Sequence, residues 1–115
     1  MTLSKKQRLF SKLLGQFLVW IYSQGYEVTG GEWMRTQAQA DANAASGAGI
    51  SRSLHLKRLA VDLNLFVNGT YKTDTIAYSA LGTYWKSLHP LARWGGDFQA
   101  RPDGNHFSLE HEGVK

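Results

Sequence analysis

The sequence contains no cysteine. Without thiols the chain cannot form disulfide bonds, and a zinc site built from thiolate ligands is excluded. Any metal ion would therefore be held by histidine, aspartate or glutamate side chains. The absence leaves open the redox compartment in which the protein works.

Long apolar runs are also missing, because no stretch reaches the roughly 20 apolar residues that cross a bilayer. A basic N-terminal segment precedes the apolar stretch from Leu13 to Tyr22, an order that superficially resembles a secretory signal. Gln16 interrupts that stretch, no Ala-x-Ala cleavage site follows it, and its apolar residues share one helical face. We therefore expect neither a signal peptide nor stable insertion into a membrane.

The sequence has no block of like charges that would suggest a disordered tail. Its 115 residues are enough for a single hydrophobic core but not for a second domain. The formal net charge is +4 and the isoelectric point is near 9.5, which favours anionic partners such as a polyanionic cell wall or a nucleic acid. A small basic nucleic-acid binder is the weaker alternative, because the basic residues are scattered and no helix concentrates them.

Hydrophobic periodicity predicts an α+β fold, with helices packed on a small antiparallel sheet. Turn and capping residues set the expected boundaries. The predicted elements are a helix from a Ser4 cap to Gln24, a strand from Tyr26 to Thr29, a helix from Glu32 to Ala45, a hairpin turning at Asn68–Gly69, and a helix after Asp74.

Asp62 lies in an otherwise apolar run, residues 59–66, that alternates like a half-buried strand. An unpaired carboxylate there would protonate or cost roughly several kcal/mol, and a bound cation would remove that cost. His55 lies seven residues earlier, which on a continuous helix is about 10 Å and too far for the two side chains to share an ion with ligand bonds of about 2 Å. We therefore expect a bend between His55 and a strand that carries Asp62.

A third ligand is expected from the segment Asp103-Gly104-Asn105-His106, which precedes a strand-like stretch. His106 is favoured over His111, because alternate residues of a strand share a face and His111 would point away from it. His89, beside a proline, has no partner at metal-ligand spacing and is expected to be structural. Two histidines and one aspartate leave the fourth tetrahedral position of zinc for water, which is typical of a hydrolytic site.

The pattern Ser53-x-His55, four residues, Ala60-x-Asp62 and a distal Asp103-x-x-His106 resembles the M15 family of zinc D,D-carboxypeptidases and L,D-endopeptidases. The short bacteriophage endolysins of that family are especially similar, also in the stretches 26–31 and 94–98. Two positions depart from the family pattern, since Arg58 stands where glycine is frequent and Ser108 where glutamate is frequent. Neither position is an expected ligand.

The resemblance implies a hedgehog/D-Ala-D-Ala peptidase-like fold in one domain, residues 1–115, without a separate cell-wall-binding domain. It implies zinc bound by His55, Asp62 and His106, with Asp103 as the general base and acid. It also implies that Arg35 stabilises the tetrahedral intermediate, although a plain surface role for this arginine is equally open.

Two further residues are candidates with alternative roles. Ser53 would contact a substrate carboxylate, as in the carboxypeptidases of the family, or cap its local turn. Asp97 would orient a ligand imidazole from behind, or close its own loop as an Asx turn.

The same resemblance predicts an endolysin-type monomer that hydrolyses the L-Ala–D-Glu bond of peptidoglycan stem peptides. It would wait in the host cytoplasm until lysis and then act on the periplasmic cell wall. A zincin is excluded because no His-Glu-x-x-His helix is present.

Two alternatives to the endopeptidase stay open. A D-Ala-D-Ala carboxypeptidase of the same family would need a pocket for a free carboxylate, for which Ser53 and Arg35 are the candidates. A non-catalytic, metal-stabilised wall-binding module would not need Asp103, which the sequence retains.

Overall fold

An open antiparallel sheet with two helices packed on it forms the architecture of the described residues. The computed structural model describes residues 1–34, 38, 39, 42 and 54–115. In chain order the elements are α1 (Leu3–Ser23), β1 (Glu27–Gly30), β2 (Ala60–Val67), β3 (Thr70–Tyr71), α2 (Ser79–Ser87), β4 (Ala92–Trp94) and β5 (His106–Leu109). The strand order is β1-β2-β5-β4, with β3 also pairing with β2. The α+β prediction is confirmed.

Helix α1 buries one apolar stripe against the sheet. Its buried residues recur every three or four positions, as the 3.6-residue period requires: Phe10, Leu13, Leu14, Phe17 and Ile21. The cap is Thr2, two residues before the predicted cap Ser4, because the Thr2 hydroxyl accepts a hydrogen bond from the Lys5 N–H at 3.2 Å. The C-cap is Gln24, and it is followed by Gly25, whose φ of 81° suits glycine.

No helix among the described residues is both long enough and apolar enough to cross a membrane. The helix predicted from Glu32 is not seen at residues 32–34. Residues 38, 39 and 42 are helical, as predicted, and the rest of the predicted helix lies outside the described residues.

Three fully buried aromatic side chains join the two helices to β5. Phe17 of α1 lies 5.2 Å from Trp85 of α2 and 4.9 Å from Phe107 of β5, measured between ring centroids. Each such side chain contributes about 1.5 to 3 kcal/mol through burial. The indole N–H of Trp85 donates to the Ser108 carbonyl at 3.1 Å, so this buried donor is satisfied.

Strand β2 is the centre of the sheet, because it pairs with β1, β3 and β5. Its turn into β3 uses Asn68 and Gly69, with φ values of 51° and 79°, the left-handed conformations that a tight two-residue hairpin needs. The predicted hairpin is therefore correct. The register of β2 and β5 places Asp62 opposite His106.

The chain between β3 and β4 returns through a 3-10 turn, Thr75–Tyr78, and then α2. As predicted, Asp74 caps this segment, its carboxylate accepting the Ala77 N–H at 3.2 Å. The short strand β4 was not predicted, because a strand of only three residues is too short to show the alternation of apolar and polar side chains by which strands are recognised. It pairs with β5 and thereby completes the far edge of the sheet.

Candidate metal centre

Three separate segments bring His55, Asp62 and His106 together. His55 lies in a 3-10 turn, Leu54–Lys57, which supplies the bend expected before β2. Asp62 is on β2 and His106 is the first residue of β5, directly opposite it. One nitrogen or oxygen ligand atom from each residue lies within 4.8 Å of the others. The two histidines are buried, and Asp62 is partly buried.

The distances within this cluster fit a metal ion better than direct hydrogen bonds. Asp62 Oδ1 lies 3.4 Å from His55 Nε2 and 3.6 Å from His106 Nδ1. Charge-assisted hydrogen bonds are shorter, about 2.7 to 2.9 Å. Ligand atoms around tetrahedral zinc, with bonds of about 2.0 to 2.2 Å, are about 3.3 to 3.6 Å apart. Consistent with this, Asp62 Oδ1 is buried without a hydrogen bond from any described residue.

The tautomer of His55 is set by a backbone carbonyl on the side of the ring away from Asp62. Its Nδ1 lies 3.3 Å from the carbonyl oxygen of Trp33, an arrangement in which Nδ1–H donates. The lone pair is then on Nε2, the nitrogen that faces Asp62. His106 presents Nδ1 to the same carboxylate oxygen. The donor set is thus two imidazoles and one carboxylate, which suits zinc.

Asp62 is held ionised despite its burial. Burial raises the pKa of this carboxyl, but the His106 and His55 imidazoles outweigh that effect and lower the pKa to about 2. A carboxylate that stays charged among two imidazoles is ready to bind a cation without first losing a proton.

Asp103 lies close enough to the cluster to interact electrostatically with its three residues, and its pKa shifts in the opposite direction. The residue is exposed overall, although protein partly surrounds its carboxyl. This burial and the charge of Asp62 raise the pKa of Asp103, and the two histidines offset only part of the effect. A raised pKa brings a carboxyl closer to the pH at which it can both accept and donate a proton.

A polar cavity of about 230 Å³ opens beside Asp103. Tyr71, Thr73, Thr75 and Asn105 are among its lining residues. The cavity gives a polar ligand access to Asp103 from the side of β3.

The structure does not support a contact between Asp97 and the cluster. The Asp97 carboxylate pairs with Lys86 Nζ at 2.7 Å, and its side chain is 51% exposed. Among the described residues, no hydrogen bond or ion pair joins it to a histidine of the cluster. Arg35 and Ser53 lie outside the described residues, so their assigned roles stay predictions.

The two competing histidines are placed elsewhere. His89 accepts the Leu91 N–H at 3.0 Å and so has a local structural role, as expected. His111 Nδ1 lies 3.1 Å from Nζ of the buried Lys6, and the residue forms a bridge with Val114 near the C-terminus. Neither belongs to the cluster found among the described residues.

Sequence reasoning missed two residues that hold the site. The carbonyl of Trp33 anchors His55, but a backbone carbonyl has no sequence signature. Trp94 donates its indole N–H to the Gly104 carbonyl at 2.7 Å, beside Asp103. The Trp-Gly-Gly sequence marked a tight turn there, but only the fold shows what the indole contacts.

Arg58, which stands where the family pattern frequently has glycine, has a backbone conformation typical of glycine. Arg58 has a φ of 55°, in the left-handed region that favours glycine. This explains why glycine suits the position directly after the histidine turn.

Comparison with known proteins agrees with this geometry. A family model described as D-alanyl-D-alanine carboxypeptidase, of the M15 peptidases, matches residues 46–109, more than half of the chain and all three residues of the cluster. The chain belongs to the M15 peptidase family. Curated protein sequences give no match.

A solved structure shares the fold of this M15 family member. The L-Ala D-Glu endopeptidase ChiX of Serratia marcescens superimposes with a TM-score of 0.64 at 24% identity. The match covers 72% of the present chain and 66% of that chain, just under two thirds of its length. At this identity the likeness establishes the common fold.

Proposed function

We propose that the protein is a zinc-dependent endopeptidase that hydrolyses the L-Ala–D-Glu bond of peptidoglycan stem peptides. The observation that carries the proposal is the cluster of His55, Asp62 and His106, with Asp103 close to it. Membership of a peptidase family supports the reaction class. The fold shared with an L-Ala D-Glu endopeptidase supports the choice of bond.

The side chains of the cluster divide the work. His55, Asp62 and His106 would hold zinc, which when bound supplies a Lewis acid and lowers the pKa of water toward about 7. Asp103 would take the proton of the attacking water and return it to the leaving amine of D-Glu. Its raised pKa and its exposure to solvent suit both transfers.

A D-Ala-D-Ala carboxypeptidase is the second candidate, because the matching family model carries that description. Such an enzyme must recognise the free carboxylate at the end of its substrate, which calls for a fixed cationic or hydrogen-bonding group. The cavity beside Asp103 has hydroxyl-bearing side chains and Asn105, but no lysine or arginine among its described lining residues. The candidates for such a group in the sequence, Ser53 and Arg35, lie outside the described residues.

Mass spectrometry of digested peptidoglycan tests the proposal. Purified sacculi are incubated with the protein, with the protein plus chelator, and with the Asp103→Asn variant as a matched control. The endopeptidase exposes new D-Glu amino groups and releases stem fragments in the first sample only. Free D-Ala with intact L-Ala–D-Glu linkages would establish the carboxypeptidase instead. Absence of any hydrolysis would favour a metal-stabilised binding module.

Expectations that derive from the resemblance alone stay predictions. They are a bacteriophage origin, action as a monomer, and release from the host cytoplasm at lysis. Lysis of permeabilised Gram-negative cells by added protein would support the first and third, and sedimentation measurements would decide the second.

A further inference from the structure

Trp94 reaches from the edge of the sheet to the segment that carries Asp103. It ends β4, pairs with Phe107 in the register of β4 and β5, and is 8% exposed. Its indole N–H donates to the Gly104 carbonyl at 2.7 Å, and both groups are buried. Gly104 directly follows Asp103, so the bond fixes the Gly104–Asn105 peptide group, one residue beyond Asp103.

The indole ring lies in a slot formed by two glycines. A Cβ on Gly82 of α2 would lie 2.2 Å from Trp94 Cδ2, and a Cβ on Gly96 would lie 2.2 Å from Trp94 Cζ2. Real Cβ atoms do not approach other atoms so closely, so neither position accepts a side chain without moving the ring. On a further side, Lys86 Nζ lies 5.6 Å from the ring centroid and is paired with Asp97. The ring therefore has little freedom to move.

The backbone holds the same segment from a second direction. The Asp103 N–H donates to the Gly95 carbonyl at 2.8 Å, and the His106 N–H donates to the Asp103 carbonyl at 3.1 Å. A Cβ on Gly95 would lie 2.1 Å from the backbone carbonyl oxygen of Asp103, so only glycine allows the two backbone segments to lie this close. The peptide group before Asp103 is thus tied to Gly95, and the peptide group after Gly104 is tied to Trp94.

We propose that Trp94 is a positioning residue, whose indole N–H and tight glycine slot fix the orientation of Asp103 relative to the histidine and aspartate cluster. The inference rests on the proposed function, in which Asp103 transfers protons. Trp94 itself touches neither substrate nor reacting atoms. Misplacement of a reacting group by about 1 Å can cost about 10²-fold in rate, so a loose 103–106 segment would lower turnover without preventing substrate binding.

The substitution Trp94→Phe tests this, because phenylalanine fills part of the slot but has no N–H. We expect kcat to fall by about 10-fold to 10²-fold, with KM and zinc content close to wild type. Trp85→Phe is the matched control. Trp85 is fully buried and, like Trp94, donates its indole N–H to a backbone carbonyl, that of Ser108 in β5, at 3.1 Å. The control should lose stability and keep kcat near the wild-type value.

Amide hydrogen exchange gives a second readout that needs no substrate. The His106 amide is hydrogen-bonded to the Asp103 carbonyl and should exchange about 10-fold faster in Trp94→Phe than in wild type. Exchange is measured under conditions in which global unfolding does not contribute. The rate for this amide should be unchanged in Trp85→Phe. If the wild-type protein hydrolysed no peptidoglycan, the proposed function would fail while the exchange result would still decide whether Trp94 holds the segment.

Should Trp94→Phe fail to fold, a benzothienyl analogue of tryptophan at position 94 keeps the bicyclic shape and removes only the N–H. The same loss of kcat and faster exchange are expected. Wild-type kcat and exchange in either variant, or equal losses of kcat in Trp94→Phe and Trp85→Phe, would overturn the proposal.

Discussion

Asp62 and Asp103 are two carboxylates whose surroundings move their pKa values in opposite directions. The paired imidazoles lower the pKa of Asp62 to about 2, whereas burial raises that of Asp103. Such a separation is typical of sites in which one carboxylate stays charged and the other exchanges protons. The difference predicts distinct effects of removing each group.

Asp62→Ala should abolish zinc binding, because it removes the central ligand atom near both histidines. Asp103→Asn should keep zinc and the folded structure but lose about 10² to 10⁴-fold in turnover, since an amide cannot accept the proton. Metal analysis and rates on peptidoglycan check both variants. A near wild-type rate for Asp103→Asn would exclude Asp103 as the base.

Tyr78 makes stability depend on alkaline pH. Its hydroxyl donates to the Lys72 carbonyl at 2.8 Å and accepts the Leu65 N–H at 3.0 Å. Burial raises the pKa of Tyr78, more than the Leu65 N–H lowers it. The unfolded chain therefore loses this proton first, and the free energy of unfolding should fall as pH rises above about 10.

Urea unfolding of wild type and Tyr78→Phe from about pH 9 to about pH 11 measures this effect. The wild type should lose stability more steeply than the variant, in which that proton is absent. Parallel slopes in the two proteins would contradict the prediction.

At the residue scale, the sequence predicted the cluster of candidate metal ligands because the signals of its members are local. An aspartate in an apolar strand and histidines at family spacing can be recognised without a fold. The structure brings His55, Asp62 and His106 together as expected. The structure gives no support to the predicted role of Asp97, whose carboxylate pairs with Lys86 of α2. The sequence alone does not show that these two side chains are close in space.

Among the elements, the turn before β2 carries strain that can be measured. Arg58 ends this turn at a φ of 55°, which costs an ordinary side chain about 1 to 2 kcal/mol. Arg58→Gly should therefore stabilise the protein by about 0.5 to 1 kcal/mol, after the greater chain entropy of glycine is subtracted.

Lys57→Gly is the control for this substitution. Lys57 is exposed in the 3-10 turn itself, and its φ is not positive. Glycine there should destabilise the protein by about 0.5 to 1 kcal/mol. Denaturant unfolding of both variants decides the matter, and destabilisation by Arg58→Gly would mean that the arginine side chain outweighs the strain.

Elements with strong local signals were predictable and the others were not. The apolar stripe of α1 and the Asn68–Gly69 turn gave the first helix and the hairpin. The cap of α1 was misplaced, because Ser4 and Thr2 are both good cap residues and the sequence alone does not decide between them. Strand β4 depends on pairing with β5, which lies more than ten residues later.

For the whole molecule, a bound metal should stabilise the fold. The cluster joins a turn, the central strand and the last strand, and only the folded chain brings these together. At a free zinc concentration 100 times Kd, binding adds about 2.7 kcal/mol, so chelator should lower Tm by roughly 10 °C or more. Calorimetry with and without chelator measures this.

Asp62→Ala serves as the control for that experiment. Its Tm should not respond to chelator, because it lacks the central ligand. A chelator effect of equal size in both proteins would place the metal elsewhere.

The cross-strand position of Asp62 and His106 has a consequence for how the sheet assembles. Side chains alternate between faces, so sliding β5 by one residue along β2 would bring Asn105 or Phe107 opposite Asp62 and turn the imidazole away. An incorrectly paired chain would then offer at most two of the three ligands. Metal binding would stabilise only the correct register of β5 on β2. The ion would thereby select against incorrectly paired strands during folding.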